Sequence, residues 1–87
     1  MVAETRELRL KRLTMRSMRR GIKEMDLILM RFARARLEQM TAAELDLYEA
    51  LLDENDQDLY QWVSGQTPAP EGFFGLIEEI ATEVSAR

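Results

Sequence analysis

Arg20-Gly21-Ile22-Lys23-Glu24 is where this chain gathers side chains suited to polar recognition, at the joint between a basic N-terminal segment and its most apolar helix candidate. A glycine there can adopt φ > 0 or let a neighbouring surface approach the backbone closely. A tight turn between helices is also a rigid place to display charged groups. The chemistry on offer is binding. With no Cys and no His, the chain has no disulfide, no thiol nucleophile, no thiolate ligand, and neither the commonest proton shuttle nor the commonest metal ligand. The acidic run Asp53-Glu54-Asn55-Asp56-Gln57-Asp58 lacks the Gly-centred calcium loop ending in Glu, so helix capping and solvation account for it. No catalytic, cofactor-binding or metal-binding residue is assigned.

A purely local account of the joint also exists. Arginines in a last helical turn face the negative end of the helix dipole, and a glycine just beyond supplies the C′ position. Arg19-Arg20-Gly21 then reads as a helix stop, with Glu24 and Asp26 in the first turn of the next helix. Arg20 and Glu24 can also pair across one turn, an exposed contact of only about 0.2–0.5 kcal/mol.

The elements that position this joint follow from apolar spacing. At 87 residues there is chain for one small domain, and 46% apolar content supports a modest core. The first helix is expected over Glu7–Arg19, after a segment, residues 1–6, that should fray. The second, over Lys23–Met40, carries Met25, Ile28, Leu29, Phe32, Ala33 and Leu37 on a broad apolar face, with Arg31, Arg34 and Glu38 left wet. Thr41-Ala42-Ala43-Glu44 is a capping box that opens a third helix ending near Asp53 or Glu54. A short fourth helix, roughly Gln57–Ser64, has Asn55 or Asp56 to cap it and Gly65 to stop it. After Pro68 and Pro70 a last helix begins beyond Gly75, or tolerates that residue, with Phe73, Ile77, Ile80 and Val84 on one side. No strand pair or repeat is visible. The fold expected is all-α, a compact bundle of about five helices in a single domain over residues 7–87, built mainly on the second and last helices. Leu29, Phe32, Leu51, Trp62, Ile77 and Ile80 should be largely buried.

Charge is distributed unevenly. Residues 1–36 hold eleven Lys or Arg and four acids, a net +7, whereas residues 37–87 hold one Arg and twelve acids, a net −11. Such polarity can steer a charged partner or promote head-to-tail contact, and it keeps a basic-face nucleic-acid-binding module as the alternative function, beside another small protein-interaction domain. No zinc finger, aromatic single-strand motif or glycine-rich phosphate cradle supports the nucleic-acid alternative. No run approaches the roughly 20 apolar residues that span a bilayer, and the N-terminus lacks the apolar stretch of a secretory signal. Cytoplasmic location is the default expectation; the Arg-rich start raises a mitochondrial targeting alternative, against which Glu4 and Glu7 count.

Taken together, Arg20-Gly21-Ile22-Lys23-Glu24, the Met25-Asp26 that follows, the apolar Leu27–Phe32 segment, and Asp56-Gln57-Asp58-Leu59-Tyr60-Gln61-Trp62 resemble the SdhE-type succinate dehydrogenase assembly factors, also called flavinylation factors. The likeness covers roughly residues 12–81, and rests on an R-G-x-x-E motif between two helices followed by D-x-D-L-x-x-W at the expected separation. Gln57 departs from it, standing where some relatives have proline, which bears on helix entry. The resemblance implies a compact helical protein that binds the flavoprotein subunit of succinate dehydrogenase, or of fumarate reductase, while FAD becomes covalently attached. It maps Arg20, Gly21 and Glu24, with Asp26 as an extension, onto the partner-binding surface. On that reading Gly21 permits close backbone contact, Arg20 offers a forked donor set to a client carboxylate or carbonyls, and Glu24 accepts a hydrogen bond or ion pair. Asp58 and Trp62 support the fold. The resemblance further implies that FAD belongs to the client, that no cofactor is held stably, and that the chain is a helper rather than an enzyme.

Overall fold

The computed structural model describes residues 3–85, and five α-helices account for most of them: α1 Arg6–Arg16, α2 Lys23–Arg36, α3 Ala42–Leu52, α4 Asp56–Val63 and α5 Phe74–Ser85. Among the described residues there is no strand. The expected helices are all present, with ends that differ for identifiable reasons.

α1 stops three residues earlier than its sequence pattern suggests. The Ser17 N–H donates to Leu13 O and Thr14 O at 3.0 and 3.1 Å, while its hydroxyl donates back to Leu13 O at 2.8 Å and meets Tyr48 Oη at 2.6 Å. Both Ser17 and Tyr48 are fully buried. A side chain that bonds its own helix end and a buried partner at once fixes the exit of the chain.

α2 ends at Arg36, four residues before the expected end, and gives way to a 3-10 turn, Leu37–Gln39. The capping box at Thr41 forms with both of its bonds: Glu44 N–H to Thr41 Oγ1 at 3.2 Å and Thr41 N–H to Glu44 Oε1 at 2.7 Å. Asn55 caps α4 by accepting from Gln57 N–H at 2.8 Å. α4 ends in a Schellman motif, with Gly65 at φ 84° and Gln66 N–H donating to Gln61 O at 2.9 Å. α5 tolerates Gly75 and is preceded by a 3-10 turn, Glu71–Phe73.

α2 is the central helix, packing most extensively against α5 and also touching α1 and α4. Leu29, Phe32, Leu51, Ile77 and Ile80 are buried as the apolar spacing requires. Trp62 is not: it is only half-buried and stacks on Phe73 with ring centroids 6.1 Å apart. The largest fully buried side chain is Tyr48, tilted against Phe32 at 5.5 Å. Burial pushes its hydroxyl up to about 12, partly opposed by the Ser17 bond and the charge of Arg20.

Helix-to-helix ion pairs absorb much of the charge asymmetry. Arg9 reaches Asp46 and Glu49, Arg12 reaches Glu4 and Glu49, and Arg16 reaches Asp53, so one edge of α1 is laced to α3. Arg36 does the same between α2 and α5, through Glu79 at 2.6 Å and Glu83 at 3.8 Å. Hydrogen bonds from Arg12 hold the carboxyls of Glu4 and Glu49 below the usual carboxylate range.

Candidate functional site

Between α1 and α2 the chain makes a turn, and its backbone is not what the cap reading of the sequence predicts. The residue in the left-handed region is Arg19, at φ 56°; Gly21 is not in that region. A non-glycine residue there carries a steric cost. The turn holds it in place by a hydrogen bond from Arg19 N–H to Asp26 Oδ1, 2.5 Å. Asp26 thus faces back into the turn from the first turn of α2.

Gly21 is a glycine because of what lies beside it. Its N–H donates to Asp56 Oδ2 at 2.6 Å, and a Cβ built on Gly21 would stand 3.1 Å from that same oxygen. A bond this short to a carboxylate leaves little room for a methyl group. The constraint expected at this position is real, but it is proximity to Asp56 rather than a left-handed backbone.

Arg20 supplies the other half of the arrangement. Its Nε donates to Asp56 Oδ1 at 2.8 Å, Nη1 to Arg16 O at 3.1 Å, and Nη2 to Leu52 O at 3.0 Å. Arg16 and Leu52 are the last residues of α1 and α3, so one guanidinium satisfies orphan carbonyls at two helix C-termini. Asp56, the first residue of α4, places its carboxylate at the positive end of that helix. The side chains of Arg20 and Asp56 are only 11% and 17% exposed. The donor fork expected to face a partner is therefore turned inward, and Arg20 pairs with Asp56 rather than with Glu24.

Glu24 and Gly21 remain exposed, whereas Asp26 is half-buried. Beyond Glu24 the same side of α2 carries Leu27, 59% exposed, then exposed Arg31 and Arg34, at intervals of three and four residues that align them along the helix. The turn thus leaves the backbone of Gly21 and the carboxylate of Glu24 exposed, with Leu27 exposed one turn further along α2.

Asp56 is the residue of this site to which the sequence assigns a different part, as a candidate helix cap. Its one signal in the chain is its position in the D-x-D-L-x-x-W pattern; its contact with a glycine 35 residues away has no local signature. The acidic run dissolves into separate roles: Asp53 pairs with Arg16, Asn55 caps α4, and Asp56 holds the turn.

A family model described as flavinator of succinate dehydrogenase matches residues 11–84, which takes in every element of this site. The chain belongs to that family. Among curated relatives, the protein named "Succinate dehydrogenase assembly factor 2, mitochondrial" of Scheffersomyces stipitis is 48% identical over 71 residues, covering 78% of this chain and 48% of the relative. Its namesake in Schizosaccharomyces pombe is 44% identical over 68 residues, covering 78% of this chain and 49% of the relative. The chain spans about half the length of the curated relatives it matches. These relatives are named mitochondrial, which overturns the cytoplasmic location expected from the sequence. That expectation is a default drawn from missing apolar stretches, and such an absence does not distinguish compartments. No helix among the described residues is long and apolar enough to cross a membrane.

Proposed function

We propose that this chain is an assembly factor that binds the flavoprotein subunit of succinate dehydrogenase, or of fumarate reductase, and promotes covalent attachment of FAD to it. The observation that carries this reading is the exposed turn at Gly21 and Glu24, held on a clasp of Arg20 and Asp56, within a chain of the flavinator family. Covalent flavinylation needs an oriented flavin and a nucleophilic residue, and the client supplies both. This chain, without His or Cys, acts by binding. Preference for the client conformation in which flavin and nucleophile meet shifts the population toward reaction. Gly21 permits close approach of the client backbone, Glu24 accepts a hydrogen bond or ion pair, and Leu27 adds an apolar contact beside them. Asp26 contributes by fixing Arg19, and Arg20 by fixing the turn.

The nucleic-acid alternative needs a coherent basic face. Arg9, Arg12, Arg16, Arg20 and Arg36 are instead paired with carboxylates of the same chain, which favours the client-binding reading. The test is capture of an apo-flavoprotein subunit by the purified protein, with the yield of covalent FAD measured alongside. Wild type should capture the subunit at moderate salt and raise the yield, and folded Gly21→Arg should lose most of both. Tight binding to generic duplex that falls steeply with salt, and no flavoprotein capture, would reverse the assignment.

A further inference from the structure

We infer that Asp56 is a positioning residue for client capture, and that Arg20 serves capture through Asp56 rather than by touching the client. The inference rests on the assembly-factor reading and adds to it a division of labour within the site. Arg20 has an internal partner for each of its three guanidinium nitrogens: Asp56, Arg16 O and Leu52 O. Asp56 uses both carboxylate oxygens, one on Arg20 Nε and one on Gly21 N–H. The two side chains therefore form one clasp that ties the ends of α1 and α3 and the start of α4 to the backbone of Gly21. A client approaching Gly21 and Glu24 meets a surface whose backbone is already in place, so the ordering cost of binding is reduced.

Direct contact and positioning predict opposite outcomes at Asp56. If Arg20 reaches the client, Asp56 is its competitor, and Asp56→Ala should free the guanidinium and leave capture intact or stronger. If the clasp positions the turn, Asp56→Ala and Arg20→Ala should each weaken capture by about tenfold or more, and the double variant should be no weaker than the worse single, because both remove the same arrangement.

Capture of the apo-flavoprotein subunit would be titrated for wild type, Arg20→Ala, Asp56→Ala, the double variant and Asp56→Asn, with hydrogen exchange of the Gly21 amide followed in each free protein. Asn keeps an oxygen for Gly21 N–H but presents no second acceptor to Arg20, so Asp56→Asn should fall between wild type and Asp56→Ala in both measurements. Gly65→Ala, at the far end of α4, is the control for lowered stability alone: its melting temperature should drop while capture and Gly21 exchange stay as in wild type. Should Asp56→Ala not fold, Asp56→Asn decides, with weakened capture and faster Gly21 exchange supporting the inference and wild-type values of either overturning it. Wild-type or stronger capture by folded Asp56→Ala, or losses that add in the double variant, would also overturn it while leaving the assembly-factor reading in place. Failure of the wild type itself to capture the subunit would remove that reading, and the inference with it.

Discussion

Gly21 and Gly65 both stand in turns between helices, and they are glycines for different reasons. Gly65 has φ 84° and nothing within 4 Å of the place a Cβ would occupy. It serves a dihedral that other residues adopt at a cost. Gly21 has no such dihedral but would set a Cβ 3.1 Å from Asp56 Oδ2, so it serves an approach. The left-handed position of its own turn falls to Arg19, which a tertiary bond to Asp26 holds there. A glycine that ends a helix can thus be explained within its own turn, whereas a glycine at a contact surface is explained only by its neighbour.

The most disruptive way to test this contrast is to remove the neighbour's support. Arg20→Ala leaves the largely buried Asp56 carboxylate and two helix-end carbonyls short of a donor, and should cost about 2–4 kcal/mol in denaturant unfolding, below or within the range for fully buried pairs. Next comes Gly21→Ala, expected to cost about 1–2 kcal/mol in the wild-type background and clearly less in Asp56→Ala, where the crowding oxygen is gone. Equal costs in the two backgrounds would refute the proximity account. Gly65→Ala should cost about 1 kcal/mol in either background, and Gly65→Asn less, since Asn enters the left-handed region more readily. Gly21→Asn, by contrast, should bring no relief over Gly21→Ala, because the Cβ is the same.

The smallest effects belong to the ion-paired edge of α1. The carboxyls of Glu4 and Glu49 are lowered in the folded state by Arg12, so their contribution is present above the unfolded carboxylate range and is lost as pH falls through their folded values. Stability should therefore decline slightly below about pH 4.5, and Arg12→Ala should flatten that decline. At the alkaline end the sign is opposite. Tyr48 is raised to about 12, so the unfolded chain gives up its proton first, and stability should fall as pH rises from about 10 toward that value. A tyrosinate absorbance titration alongside unfolding curves would check both, and Tyr48 ionising at an ordinary value would contradict its burial against Phe32 and Ser17.

The helical plan is legible in the amino-acid sequence because its causes are local. Apolar spacing on α2 and α5, the Thr41 to Glu44 capping box and the Gly65 stop each depend on residues within a few positions; the box and the stop form at the expected residues, and both helices form, α2 with an earlier end. Trp62 marks the limit of local causes: its place on an apolar stripe is local, but how deeply the stripe sinks depends on what the turn before α5 brings against it, and with Phe73 stacked on its ring Trp62 stays half-buried. The motif itself is equally visible, as residue types at a joint. What only the tertiary structure decided is how those residues are used. Ser17 meets Tyr48 across 31 positions, Gly21 meets Asp56 across 35, and Arg20 reaches Asp56 across 36 and Leu52 across 32. Contacts of that separation leave no periodicity in the chain, since they arise when packing of α1, α3 and α4 around α2 brings three helix ends to one place. The sequence by itself therefore determined where the motif residues lie, and packing determined that Arg20 turns inward while Gly21 and Glu24 face out.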